Sequence, residues 1–140
     1  MTLESIVEHL RRRIGWQSEP TLHVIEAGSL RRWAEATGES DPRWREEAPP
    51  TYFASLRPDI WDAAVPEALR FGKQWLNGGD RYKYARPARV GDAVRVQTRL
   101  VDVSSKAGRS GNLLILEYET RFEAANGEIL CTIEGTIIRR

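Results

Sequence analysis

The chain has 140 residues, a one-domain length with room for a single core, and 41% apolar with 29% charged residues fits a folded globular protein rather than a disordered one. A net charge of +1 gives no electrostatic reason for a nucleic-acid or anionic-membrane partner. No apolar run approaches the ~20 residues of a membrane-spanning helix, and the acidic, amphipathic start does not read as a signal peptide.

A helix is predicted over residues 3–14, where Leu3, Ile6, Val7, Leu10 and Ile14 fall on one stripe. Thr2 is its natural N-cap and Gly15 its stop. The run Arg11-Arg12-Arg13 reads as a solvated face. Thr21 to Ile25, partly β-branched and following Pro20, predicts a strand. A second helix is expected over 28–37, with Leu30, Trp33, Ala34 and Thr37 inward and Gly38 ending it. Prolines punctuate the middle third. They predict a short helix from Pro50 to just before Pro58, a second helical piece over 59–65, and an irregular apolar stretch to Leu76. Asn77-Gly78-Gly79-Asp80 has the composition of a turn.

From Arg81 the period becomes two. Val94, Val96, Thr98 and Leu100 alternate with charged or polar residues, as do Leu114, Leu116, Tyr118, Thr120 and Phe122, and then Ile129, Cys131, Ile133 and Ile137. Residues 104–111, rich in Gly and Ser, read as a loop, and Asn126-Gly127 as a tight turn. Long alternating strands on short connections make an antiparallel meander with one apolar face. The helices of the first half must cover that face, giving an α+β layer. Cys131, the single cysteine, excludes an intrachain disulfide and a cysteine-based zinc site, and its alternating context reads as packing. It is compatible with a cytoplasmic location, and nothing in the sequence calls for a metal or a cofactor.

Three segments carry a resemblance. Leu30 to Thr37 followed by Gly38-Glu39-Ser40-Asp41-Pro42-Arg43-Trp44 is similar to the helix and catalytic loop of MaoC-like (R)-specific enoyl-thioester hydratases. Ala48-Pro49-Pro50-Thr51-Tyr52 resembles the start of that family's central helix. Tyr82 to Asp92, containing Arg86-Pro87 and Gly91-Asp92, resembles a strand–turn–strand of the MaoC-like dehydratase N-terminal (FAS1-like dehydratase) family. Without the family, the same block reads as hairpin architecture, with Pro87 fixing φ and Gly91-Asp92 turning the chain. The resemblance implies a hot-dog fold: a curved antiparallel sheet wrapped around a short central helix. It would occupy residues 20–140 as one domain, with 1–19 as an extra N-terminal helical extension.

The resemblance also implies a chemistry. Hydration of a 2-enoyl thioester, or the reverse dehydration of a 3-hydroxyacyl thioester, needs a base, an acid and donors for the enolate oxygen. In the family an Asp and a His on the loop form the acid–base pair. Here Glu39 takes the Asp position and Trp44 the His position, and an indole exchanges no proton near neutral pH. Neither His9 nor His23 is near the loop in sequence. Asp41 has two readings: a carboxylate partner for Glu39, or a turn cap beside Pro42.

The candidate catalytic residues are therefore Glu39 and Asp41. The candidate substrate-binding residues are Trp44, Thr51, Tyr52, Asn77 and Gly78. Trp44, Trp61, Trp75, Phe53 and Phe71 supply either core or an apolar wall for an acyl chain. The family pairs its hot-dog units, so a homodimer, or a heterodimer with a catalytic subunit, is expected on an acyl-CoA or acyl-ACP thioester. The depleted loop suits the substrate-binding partner of a subunit carrying the Asp and His. The alternatives are a self-sufficient hydratase or thioesterase using Glu39 and Asp41, and a non-catalytic binding module.

Overall fold

The computed structural model describes residues 2–58 and 66–140; the expected helical piece at 59–65, with Trp61, lies outside the described residues. In chain order these form helix α1 (Leu3–Arg11), strand β1 (Thr21–Val24), helix α2 (Ala27–Thr37), 3-10 helices at Pro42–Arg45, Pro50–Leu56 and Pro66–Arg70, and strands β2 (Trp75–Tyr84), β3 (Ala93–Gly108), β4 (Gly111–Glu123) and β5 (Ile129–Arg139). The strands form one antiparallel sheet in the order β1-β3-β4-β5-β2. The helices cover its apolar face, and Pro50–Leu56 is the central helix of a hot-dog fold, confined by Pro49 and Pro58 to a short, tight form.

Helix α1 is capped as its sequence predicts, with the Thr2 side chain accepting from the Ser5 N–H. Ile6, Val7 and Leu10 are buried, but the helix ends at Arg11, leaving Ile14 43% exposed. Gly15, at φ 94°, then redirects the chain onto β3. The Gly15 N–H donates to the Leu100 carbonyl at 2.8 Å, the Leu100 N–H to Trp16 at 2.9 Å, and the Ser18 N–H to Thr98 at 2.8 Å. Residues before the first strand are thus stitched to the central sheet and share its core.

Two apolar clusters fill the interior. One joins α1 to Leu100, Val103, Leu114, Leu116 and Ile137; the other joins Leu30, Tyr52 and Phe53 to Val94, Val96, Phe122 and Ile133. Cys131 is fully buried in the second, and burial pushes its thiol pKa up to about 11, consistent with packing and not with a nucleophile.

The structure corrects three expectations. Asn77 to Asp80 is not a turn, and Leu76 is not irregular: both lie inside β2, which begins at Trp75. The register against β5 slips between Asn77 and Gly79, with Gly79 at φ 131°, so the residues that resemble a turn form a β-bulge. Residues 104–111 are not a loop. Pairing between β3 and β4 continues to Gly108 and Gly111, because an exposed hairpin tip extends its ladder without needing an apolar face. Ile129 is 42% exposed, since a second slip, between Phe122 and Glu123, turns both Leu130 and Cys131 inward.

Glu67 ties the Pro66–Arg70 helix to α1. Its carboxylate lies 2.9 Å from Arg13 and 3.6 Å from His9. Its own backbone N–H, followed by Arg13, holds it below the usual carboxylate range. A depressed native pKa contributes stability above the unfolded value, and that contribution is lost as pH falls through the native one. The urea midpoint should therefore drop on acidification below about pH 4.5, and Glu67→Gln should flatten that drop.

Candidate functional site

The loop with the expected catalytic residues is a chain of caps. Gly38, at φ 74°, ends α2, and the Glu39 N–H returns to the Ala34 carbonyl at 2.9 Å. Asp41 caps the next 3-10 helix, accepting from the Arg43 N–H at 3.0 Å, with the Arg43 guanidinium 3.7 Å away. Pro42 occupies the first position of that helix. Trp44 is half-buried under Arg43, whose guanidinium carbon is 4.1 Å from the indole centroid. The carboxylates of Glu39 and Asp41 are both exposed, so neither is withdrawn from water as the acid of a carboxylate pair must be.

No imidazole completes this loop. His9 faces Glu67, and His23 lies on β1 with its Nε2 3.1 Å from the Thr21 hydroxyl. The loop's far end is sewn to the Arg86–Asp92 segment. The Ala48 N–H donates to Ala88 at 2.8 Å, the Val90 N–H to Glu46 at 2.9 Å, and Glu47 pairs with Arg89 at 3.4 Å. Asp92 accepts from the Arg89 N–H, and Arg86 pairs with Glu128 at 2.8 Å, so this motif is architectural.

Apart from Trp44, the expected binding residues fall on two elements, Thr51 and Tyr52 on the central helix and Asn77 and Gly78 on β2. Thr51 is exposed in its first turn; Tyr52 is buried, with its ring edge-on to Trp33 at 5.5 Å. Asn77 and Gly78 belong to the β2 bulge, where the Asn77 Oδ1 accepts from the Gly79 N–H at 2.8 Å. Gly78 is required by close approach. A Cβ there would sit 3.1 Å from the Thr136 carbonyl oxygen and 2.9 Å from its Cγ2. Gly78→Ala should cost about 1–3 kcal/mol, read as a lower denaturation midpoint.

The far end of the helix, at Ala54, Arg57 and Pro58, opens onto a cavity of about 290 Å³ over the sheet. Asn77 lines it; Glu39, Asp41 and Trp44 do not. Its base crosses the sheet through Asp80, Gly135, Tyr118, Thr120 and Thr98. Thr98 and Thr120 are register partners, buried, and hydrogen-bonded to each other at 2.8 Å. Asp80 is held by two Arg57 nitrogens at 3.0 and 3.3 Å, and this pair occupies the space that Gly135 leaves: a Cβ there would lie 3.0 Å from Asp80 Oδ1. The Tyr118 hydroxyl is buried without a hydrogen-bond partner among the described residues, and burial raises its pKa far enough to keep it neutral.

Sequence reasoning missed the significance of Arg57, Asp80, Tyr118 and the threonine pair. The available signal was phase. Thr98, Tyr118 and Thr120 stand in the inward register of strands otherwise filled with Val, Leu and Phe. Of the aromatics read as either core or an acyl wall, Phe53 is buried in the core and Phe71 and Trp75 pack half-buried against it, with the Arg139 guanidinium 4.8 Å from the Trp75 ring centroid. Among the described residues no group of His, Cys, Asp and Glu is placed to hold a metal, and no helix is long and apolar enough to cross a membrane.

A family model described as FAS1-like, dehydratase domain region, matches residues 12–133. A UPF0336 protein of Thermobifida fusca (strain YX) is 30% identical over 136 residues, covering 86% of each chain. Among solved structures, the chain is similar to one in the ChsH1–ChsH2 complex from Mycobacterium tuberculosis, with a TM-score of 0.77 and 16% identity over 97% of this chain and 94% of that one. It is also similar to a chain of the HadBC (3R-hydroxyacyl-ACP dehydratase) complex from the same organism, with a TM-score of 0.70 and 14% identity over 90% and 96%.

Proposed function

Because the chain belongs to the FAS1-like dehydratase domain family, with the hot-dog fold of the MaoC-like dehydratases, we propose that it binds an acyl thioester as the non-catalytic partner of a subunit carrying the Asp–His pair. The observation that carries this reading is the loop itself. Its scaffold of caps is intact, while Trp44 stands under Arg43 at the imidazole position and Asp41 is occupied as a cap. No other imidazole reaches it among the described residues. The similarity to chains from two-component complexes, ChsH1–ChsH2 and HadBC, supports the paired arrangement.

On this reading the thioester carbonyl lies against the start of the central helix at Thr51, whose N–H precedes the helix's first hydrogen bond, the Tyr52 N–H donating to the Pro49 carbonyl at 2.9 Å. The acyl group runs along the helix toward the cavity. Glu39 faces the partner or solvent and transfers no proton. The carrier, CoA or acyl carrier protein, stays outside the loop.

The test is binding separated from turnover. Calorimetric titration of the chain with a saturated acyl-CoA should give a saturable isotherm. Co-expression with a subunit bearing an intact Asp–His loop should give an equimolar complex on gel filtration. A chain that binds no thioester, and pairs only with itself, would contradict the reading.

A further inference from the structure

The cavity at the end of the central helix lies between the two apolar clusters, touching Tyr118 and Ile137 of one and Ala54 at the margin of the other. Its polar side chains are already engaged. Thr98 and Thr120 bond each other at 2.8 Å, Asn77 holds the Gly79 N–H at 2.8 Å, and the Tyr118 hydroxyl is sealed from solvent. Such a cavity offers a ligand shape and apolar contact, not a new hydrogen bond.

The Arg57–Asp80 pair shapes it. Leu100, Tyr118, Gly135 and Asp80 are successive register partners across four strands. The Asp80 side chain is only 17% exposed, although β2 is an edge strand. Arg57, the residue that ends the central helix, reaches it from the opposite layer. The pair lies over Gly135, where a Cβ would stand 3.0 Å from Asp80 Oδ1 and 3.6 Å from Arg57 Nη1. Glycine in the inward register between Ile133 and Ile137 leaves a gap, and two charged side chains fill it. An apolar filling of similar volume is often as stable or more so, so stability alone does not call for this pair.

We propose that the Arg57–Asp80 pair is a length stop: it stands across the path along the central helix and sets the longest acyl chain the cavity takes. The proposal rests on the acyl-thioester reading and adds to it a substrate class, acyl groups of medium length. Thr51 and Arg57 are six residues apart, about 12 Å at the ~2 Å rise of a 3-10 helix. A fully extended chain advances about 1.2 Å per single bond, so the stop falls about ten carbons from the thioester.

The test is calorimetric titration of the full chain with saturated acyl-CoA thioesters of rising length. Each added methylene should tighten binding about fourfold up to about ten carbons, and further methylenes should add nothing. Arg57→Ala with Asp80→Ala removes the pair without stranding either charge, and should move the break to a chain at least about two carbons longer. If that variant melts too early to titrate, Arg57→Met with Asp80→Ala keeps the packing at the helix end, opens the gap over Gly135, and reads the same shift. Arg57→Met with Asp80→Leu refills the space with uncharged bulk and should keep the wild-type break. A folded variant with the gap opened that keeps the wild-type break, a refilled variant that loses it, or a wild type whose affinity climbs without a break would overturn the length stop and leave the acyl-thioester reading standing. No binding of any thioester would overturn that reading and the stop with it.

Discussion

Acting alone on a 2-enoyl thioester, the chain is expected to add water roughly 10²–10⁴-fold more slowly than a hydratase with an intact Asp–His loop, followed by loss of the enoyl absorbance. The size follows from what a positioned proton-transfer group contributes, and here Trp44 stands where the family resemblance places an imidazole. Trp44 has one ring N–H, which donates and cannot cycle a proton near neutral pH. Glu39 keeps a carboxylate but is exposed to bulk water, which competes for any substrate proton it would move. Asp41 is hydrogen-bonded to the Arg43 N–H and faces the Arg43 guanidinium, so recruiting it would uncap the 42–45 helix. On the proposed reading the scaffold keeps binding and a carbonyl position at the helix start, which lower the barrier without supplying a proton route. Glu39→Gln should accordingly leave the residual rate unchanged.

Phe53→Ala is expected to produce the largest loss of stability, about 3–5 kcal/mol, with a fall in Tm of roughly 10 °C or more in a guanidinium-free melt. Phe53 is fully buried on the central helix. Its ring centroid lies 5.1 Å from Phe122 on β4 and 6.0 Å from Tyr84 on β2, so it joins the helix to both a central and an edge strand. Truncation removes the ring's burial and leaves a cavity that neighbouring β-strands cannot close. The loss should also reach function, because Thr51 and Tyr52 are positioned by the same short helix. Weaker thioester binding by the still-folded variant at low temperature would show this. Phe53→Leu, which keeps most of the volume, should recover the larger part of both effects.

The legible parts of the fold were those set by one segment's own periodicity. The stripe Ile6, Val7, Leu10 and the inward phases of β3 and β4 are written locally, and the structure places them as their spacing predicts. Gly38 as helix stop and Asp41 beside Pro42 as cap are equally local. What failed among the strands depended on how segments pair. Asn77-Gly78-Gly79 has the residues of a turn, and a bulge demands the same ones; only its alignment with Thr136 and Ile137 distinguishes the two. The polar cavity was invisible for the same reason. Thr98 means little until Thr120 is known to face it, Gly135 until Asp80 fills its space, and Asp80 until Arg57, 23 residues earlier, is brought to it. The caps of the Gly38–Trp44 loop were legible because its residues follow one another in the chain.

Binding by this chain with proton transfer by a partner is decided by titrating the chain into a fixed amount of a subunit with an intact Asp–His loop and measuring hydration of a 2-enoyl thioester. The rate should climb with added chain, saturate at one equivalent, and be the same when Glu39→Gln replaces the wild-type chain. Full turnover by this chain without any partner, abolished by Glu39→Gln, would contradict it.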